Sequence, residues 1–205
     1  LVDMVNLPER LDSEASVAYL AAELRRVTEI LARRFGVAVS EDALRSAIAS
    51  GNRLRRAQEA FCAWRRTTPG AKLTLADACI VLKAGTVMHV DEYAPLIERL
   101  AAGSAADAQG RPSGIPVIIT GLACQLPHSD FLALFETAGL RVVEDDLFLG
   151  MRAAPPIETA GDPYRNMAQG FVRSAAMATR HRGLIRRHEQ LLERIRRGSA
   201  MGVVF

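Results

Sequence analysis

The sequence predicts an α/β protein, a parallel sheet with flanking helices preceded by a mainly helical portion. Three observations predict it. Up to residue 102 the apolar residues recur at helical spacing. From Ile115 onward, short β-branched runs alternate with short helical patterns. A stretch rich in Gly, Ser, Ala and Asp with Pro112, residues 103–114, separates the two regimes and reads as a linker. The expected organisation is a helical portion at 1–110 and an α/β portion at 115–205.

Residues 1–8 are apolar at alternate positions and read as a strand or its exit. Asp12-Ser13 offers a helix cap, after which Val17, Leu20, Leu24, Val27, Ile30 and Leu31 form one face until Gly36 stops the run. Ser40, with Glu41 and Asp42 behind it, is a good N-cap with acids in the first turn. The helix it starts carries Leu44, Ala47, Ile48, Leu54, Phe61 and Trp64 and ends near Arg66, before Thr67-Thr68-Pro69-Gly70. Thr74 caps a third helix, through Lys83. A fourth runs from Asp91 to Ala102.

Ile115-Pro116-Val117-Ile118-Ile119-Thr120 reads as a buried parallel strand. Ser129 opens a helix with Phe131, Leu132, Leu134 and Phe135 on its apolar face, closed by Gly139, and Leu140-Arg141-Val142-Val143 is the next strand. Together they make a βαβ unit. Asp162-Pro163 opens another helix, with Pro at its first position. The last helix presents Leu184, Ile185, His188, Leu191, Leu192 and Ile195 on one face, ends at Gly198, and leads to a third strand at 201–205.

Composition narrows the function classes. Hydrophobic residues make up 49% and charged residues 24% of the 205, as in a soluble globular protein. No apolar run approaches the roughly 20 residues of a membrane helix, and no secretory leader pattern is present, so a cytoplasmic protein is expected. Net charge is +3, which does not call for a nucleic-acid partner. The three cysteines, Cys62, Cys79 and Cys124, form no CxxC pair. They indicate neither a zinc site nor a disulfide framework, but free thiols in a reducing compartment. Leu1 in place of Met and the apolar run at the other end lead to the expectation of a piece of a longer chain.

Ligands of open parallel sheets bind where strands end, which singles out two segments. At Thr120-Gly121-Leu122-Ala123-Cys124, backbone N–H groups suit an anion such as a phosphate or carboxylate. The same turn is explained by a need for a small residue. The segment is neither a GxGxxG nor a phosphate loop. At Glu144-Asp145-Asp146, three consecutive acids are costly to bury and need exposure, a basic partner or a metal. Arg152 is the nearest basic partner, and the acids read equally as a strand end that caps the next segment and pairs with it. Cys124 lacks the neighbouring base that a reactive thiol needs and reads as a small buried hydrophobe. Around His181 and His188, seven arginines form the solvated face of the last helix, or a contact for a coenzyme phosphate or a second subunit. No aromatics interleave with them, which disfavours nucleic acid.

These segments, in their order, resemble a family. Ser40-Glu41-Asp42-Ala43-Leu44, followed by Asn52-Arg53, is similar to a family helix that starts Ser-Glu-x-x-Leu and reaches an Asn-Arg. Ile119-Thr120-Gly121, then Glu136 and Ala138-Gly139, then Val142-Val143-Glu144-Asp145-Asp146 and Gly150-x-Arg152, look like its TG…E-x-x-G…VV-x-DD segment. Asp162-Pro163 with Ala168 looks like its DP…A helix, and Gly202-Val203-Val204 like a strand that precedes a family cysteine. The family is that of the 2-hydroxyacyl-CoA dehydratases and benzoyl-CoA reductases.

The resemblance implies a Rossmann-like α/β fold in one subunit of a two-subunit enzyme. It implies an acyl-CoA substrate, a second homologous subunit and an ATP-dependent activator that injects one electron at low potential. The chemistry implied is either radical loss of water from a 2-hydroxyacyl-CoA or reduction of an aromatic ring. The implied cofactor is a [4Fe-4S] cluster held by cysteine thiolates. The ligands are not found here. Leu147 and Phe148 stand where the family has a cysteine after the paired Asp, 171–178 offers only Ser174, and a third position would fall past Phe205. Apolar side chains do not ligate iron. The expected role is therefore a subunit that contributes acyl-CoA pocket and subunit interface, with Thr120, Gly121, Cys124, Asp145, Asp146 and Arg152 as substrate-binding candidates. The alternative is a non-catalytic α/β binding or scaffold protein that retains only the fold.

Overall fold

The computed structural model describes residues 4–8, 13–68, 73–103, 114–120, 128–146, 155–174 and 184–205. The described elements are α1 (Glu14–Phe35), α2 (Glu41–Thr67), α3 (Leu75–Ala84), α4 (Val90–Gly103), β1 (Ile115–Thr120), α5 (Ser129–Thr137), β2 (Leu140–Asp146), α6 (Pro163–Ser174), α7 (Leu184–Gly198) and β3 (Gly202–Val204). The three strands form one parallel sheet in the order β2-β1-β3. The α/β reading holds, with helices predominating. Residues 4–8 form no strand.

Local chemistry explains the element ends. Ser13 caps α1 by accepting from the Ser16 N–H, and Gly36 closes it in the left-handed region at φ 64°, where a Cβ is costly. The Ser40 hydroxyl accepts from the Ala43 N–H at 3.1 Å. At Thr74 the cap is reciprocal: its hydroxyl accepts from the Asp77 N–H, and the Asp77 carboxylate accepts from the Thr74 N–H. α5 starts at Ser129, as expected, and is capped by His128, whose side chain accepts from the Asp130 N–H.

The chain forms two compact units. The first comprises Leu1–Arg53 and Ala154–Leu184. Its core packs Val17, Leu20 and Ala21 of α1 against Tyr164 and Ala168 of α6, with Leu44 at the edge. Ala168 is fully buried, so a small side chain there lets the helices approach closely. The Arg25 guanidinium stacks 4.7 Å over the Tyr164 ring. The segment 155–161 has no regular structure but is fastened by side chains. Asn52 accepts from the Ile157 N–H at 2.8 Å and donates to the Ile157 C=O at 2.6 Å. Asn166 donates to the carbonyls of Glu158 and Ala160 at 3.0 and 2.6 Å.

The second unit comprises Leu54–Ala153 and Ile185–Phe205. Val117 and Ile119 of β1 and Val142 of β2 pack with Leu75 and Cys79 of α3 and Leu132 of α5. A second cluster joins Ala57 and Phe61 of α2 to Ala78, Leu82, Tyr93 and Ile97. Phe61 is fully buried, a contribution of about 1.5–3 kcal/mol. Of the expected apolar face of α5, Leu132 is buried and Phe135 packs beside it, whereas Phe131 and Leu134 are more than half exposed. Helical geometry explains the split. Positions 131 and 134 are turned roughly 100° and 160° away from position 132, outside the stripe that meets the sheet. Phe131 packs instead on Phe135, ring against edge.

Candidate functional site at the carboxyl ends of β1 and β2

β1 and β2 run parallel, so their carboxyl ends lie side by side: Ile119 faces Asp145 and Thr120 faces Asp146 across the ladder. The Thr120 and Asp145 side chains are both buried, at 4% and 3% exposure. Parallel pairing therefore sets two candidates, Thr120 and Asp146, opposite each other in the ladder and places Asp145 beside Ile119. Gly121, Cys124 and Arg152 lie outside the described residues, as does the side chain of Asp146.

β2 continues through all three acids and ends at Asp146, and Glu144 and Asp145 are buried. A bulge at Val143 makes this possible, because Val142 pairs with Val117 but Glu144 pairs with the next residue, Ile118. In an unbroken strand Glu144 would share the face of Val142, which packs on Leu75 and Cys79. With the extra residue inserted, Val143 and Glu144 both turn toward α7. Val143 lies against Gly198, where an added Cβ would come within 3.1 Å of it, and Glu144 meets Arg197. Asp145 returns to the other face, where its charge is felt by Cys62 and Cys79.

Burial of Glu144 is balanced by arginines. Arg197 donates to its Oε1 from Nε at 3.1 Å and from Nη2 at 2.8 Å. Arg66 Nη1 lies 2.8 Å from the same oxygen. Glu59 completes the network, 3.2 Å from Arg66 and 3.3 Å from Arg197. Burial disfavours the Arg197 charge, but Glu144 and Glu59 outweigh it and hold the guanidinium pKa above its ordinary value. Among the described residues the basic partners of Glu144 are Arg66 and Arg197, whereas Arg152, the expected partner, lies outside them. One expectation is corrected: Arg197 is not simply part of a solvated face. Arg197 is 53 residues from Glu144, so no local spacing could have paired them.

The cysteine chemistry bears on the implied cluster. Burial pushes the Cys62 thiol up to about 12, with Arg65 opposing and Asp145 adding to the rise. It pushes Cys79 up to about 11, with Asp145 again adding. Both are therefore protonated thiols at neutral pH with no metal bound. Among the described residues no three His, Cys, Asp or Glu side chains are disposed to hold a metal ion. The described donors do not fit a [4Fe-4S] cluster, and no step is assigned through one. Among the described residues no helix is long and apolar enough to cross a membrane.

Known proteins match the chain along most of its length. A family model described as 2-hydroxyglutaryl-CoA dehydratase, D-component, matches residues 2–205. The chain is 29% identical over 204 residues to a subunit of the benzoyl-CoA reductase of Thauera aromatica, covering 98% of this chain and 52% of that one. It is 31% identical over 178 residues to the putative dehydratase subunit YjiM of Escherichia coli (strain K12), covering 83% of this chain and 46% of that one. The chain thus spans about half the length of these curated relatives.

Proposed function

Because the chain belongs to the family of the 2-hydroxyglutaryl-CoA dehydratase D-component, we propose that it serves in a subunit of an acyl-CoA dehydratase or aryl-CoA reductase, where it contributes acyl-CoA pocket and subunit interface. The observation that carries this is the family match along residues 2–205, which includes both strand ends. Relatives named as subunits of a reductase and of a dehydratase support a partner subunit. In this reading the turn after Thr120, with Gly121 and Cys124, holds an anionic group of the thioester through backbone N–H donors. Asp145, Asp146 and Arg152 orient its polar groups from the end of β2. Burial of Thr120 and Asp145 supports a site that excludes water there. The chain's own part is binding and orientation. No electron-transfer step is placed on its described cysteines.

The test uses the full-length protein, purified without oxygen and co-expressed with its homologous subunit. Titration with 2-hydroxyglutaryl-CoA and with benzoyl-CoA should give saturable binding to one of them, weakened at least tenfold by Asp145→Ala, the size of one lost charged contact. Iron and sulfide are assayed on the same sample. Binding without iron leaves a substrate-binding subunit free of cluster. No binding to either thioester sinks the reading.

A further inference from the structure

The bulge in β2 decides on which side of the sheet the Asp145 carboxylate is offered. Val143 is the extra residue, since Val117 faces Val142 and Ile118 faces Glu144. Asp145 then faces Ile119 and falls on the side of Val142, Ile119 and Cys79. In an unbulged ladder Glu144 would face Ile119 instead. Asp145 would turn to the opposite side, because a slip of one residue moves every side chain to the other face. Bulges beside binding sites re-aim side chains in this way.

Glu144 holds the bulge in place. Its Oε1 lies 2.8 Å from both Arg66 Nη1 and Arg197 Nη2. Its Oε2 is buried with no hydrogen-bond partner among the described residues, which adds to the cost of hiding the charge. Glu144, Arg66, Arg197, Thr120 and Asp145 all belong to the second unit. Apolar side chains often replace a buried ion pair without loss of stability. Stability by itself therefore does not call for a carboxylate at this position.

We propose that Glu144 is a positioning residue for substrate binding: clamped by Arg66 and Arg197, it pins the bulge at Val143 and so aims Asp145. It acts through Asp145 rather than on the ligand. The inference rests on the part given to Asp145 in the acyl-CoA reading above, and it adds a determinant on the opposite side of the sheet.

The experiment uses the full-length protein with its partner subunit and the thioester bound in the preceding titration. Glu144→Ala should raise the thioester Kd about tenfold, as loss of one oriented contact implies. The double variant with Asp145→Ala should bind no more weakly than Asp145→Ala alone, because the two residues act as one. Glu144→Gln keeps an acceptor for the arginines and should restore most of the affinity. If Glu144→Ala does not fold, Arg197→Ala, at a residue whose side chain is 43% exposed, takes its place. It should raise Kd about threefold, since Arg66 remains, and again only where Asp145 is present. An unchanged Kd in the folded variant overturns the proposal. So do losses that add, about a hundredfold in the double variant, since a merely structural residue weakens binding whether or not Asp145 is there. Wild-type affinity in Asp145→Ala removes Asp145 from the site and the proposal with it. Failure of the wild-type protein to bind the thioester instead removes the acyl-CoA reading itself.

Discussion

Arg197 directs two N–H donors, Nε at 3.1 Å and Nη2 at 2.8 Å, at a single carboxylate oxygen, Oε1 of Glu144. Arg66 approaches the same oxygen, while Glu144 Oε2 is buried with no hydrogen-bond partner among the described residues. The arginine at the end of α7 thus ties the last turn before β3 to the bulged strand β2. Replacing Glu144 by Ala leaves the Arg66 guanidinium, 9% exposed, without its buried counter-charge. We expect a loss of about 3–5 kcal/mol. Glu144→Gln should cost less, because it keeps the acceptor. Arg197→Ala should cost about 1–2 kcal/mol, since Arg197 is 43% exposed and Arg66 still neutralises Glu144. Urea unfolding of the three variants checks the order.

Ile157 and Gly170 form a close pair in the first unit. A Cβ at position 170 would meet Ile157 Cγ1 at 2.7 Å and Cδ1 at 3.1 Å. Ile157 cannot retreat freely, because Asn52 holds its backbone at both polar groups. Gly170→Ala is expected to destabilise by about 1–3 kcal/mol through overpacking. Adding Ile157→Ala should recover most of that loss, so the double-mutant cycle gives a large coupling energy. Additive losses in urea unfolding would contradict the contact.

The thiols give a pH signature. Folding raises Cys62 from 9.0 to about 12 and Cys79 from 9.0 to about 11. Below pH 9 both states are protonated and the thiols' contribution is fully present. Above it the unfolded chain loses its protons first, so stability falls as pH rises from 9 toward 12. Cys62→Ala should flatten the upper part of that decline in denaturation curves taken across the range. At pH 8 iodoacetamide should modify Cys62 and Cys79 slowly in the native protein and quickly in urea, as peptide mass mapping would show.

Asp162 caps α6. Its Oδ1 accepts from the Tyr164 N–H at 2.9 Å, and its Oδ2 from Arg25 at 3.1 Å. Burial nudges the carboxyl pKa upward, but the N–H groups of Arg165 and Tyr164, with Arg25, outweigh this and hold it below 3.8. The contribution is therefore present above pH 3.8 and lost as pH falls through the lowered value. Asp162→Ala should cost about 1 kcal/mol at neutral pH, most of it from the cap, since the Arg25 pair is exposed. The wild-type and variant melting temperatures should converge in strong acid.

Much of the fold was legible in the residues because local chemistry decides it. Ser13, Ser40 and Thr74 announce helix starts, and Gly36 a helix stop, through bonds spanning a few residues. The β-branched run at 115–120 announces a buried parallel strand. The candidate site was legible only as two strand ends. Their adjacency depended on Thr120 and Asp146 facing each other in the ladder, and a ladder is a long-range pairing.

The sequence by itself determined the α/β class, the helix ends, the β1-α5-β2 order and the family, since each rests on short-range bonds, periodicity or ordered motifs. Only the tertiary structure decided that a bulge at Val143 turns Glu144 toward Arg197, that Asp145 and Thr120 are buried on adjacent strands, and that Asn52 holds Ile157 across 105 residues of chain. The physical reason is the same in each case. A buried charge or amide must find a partner wherever packing places one, and packing depends on contacts that no local pattern encodes.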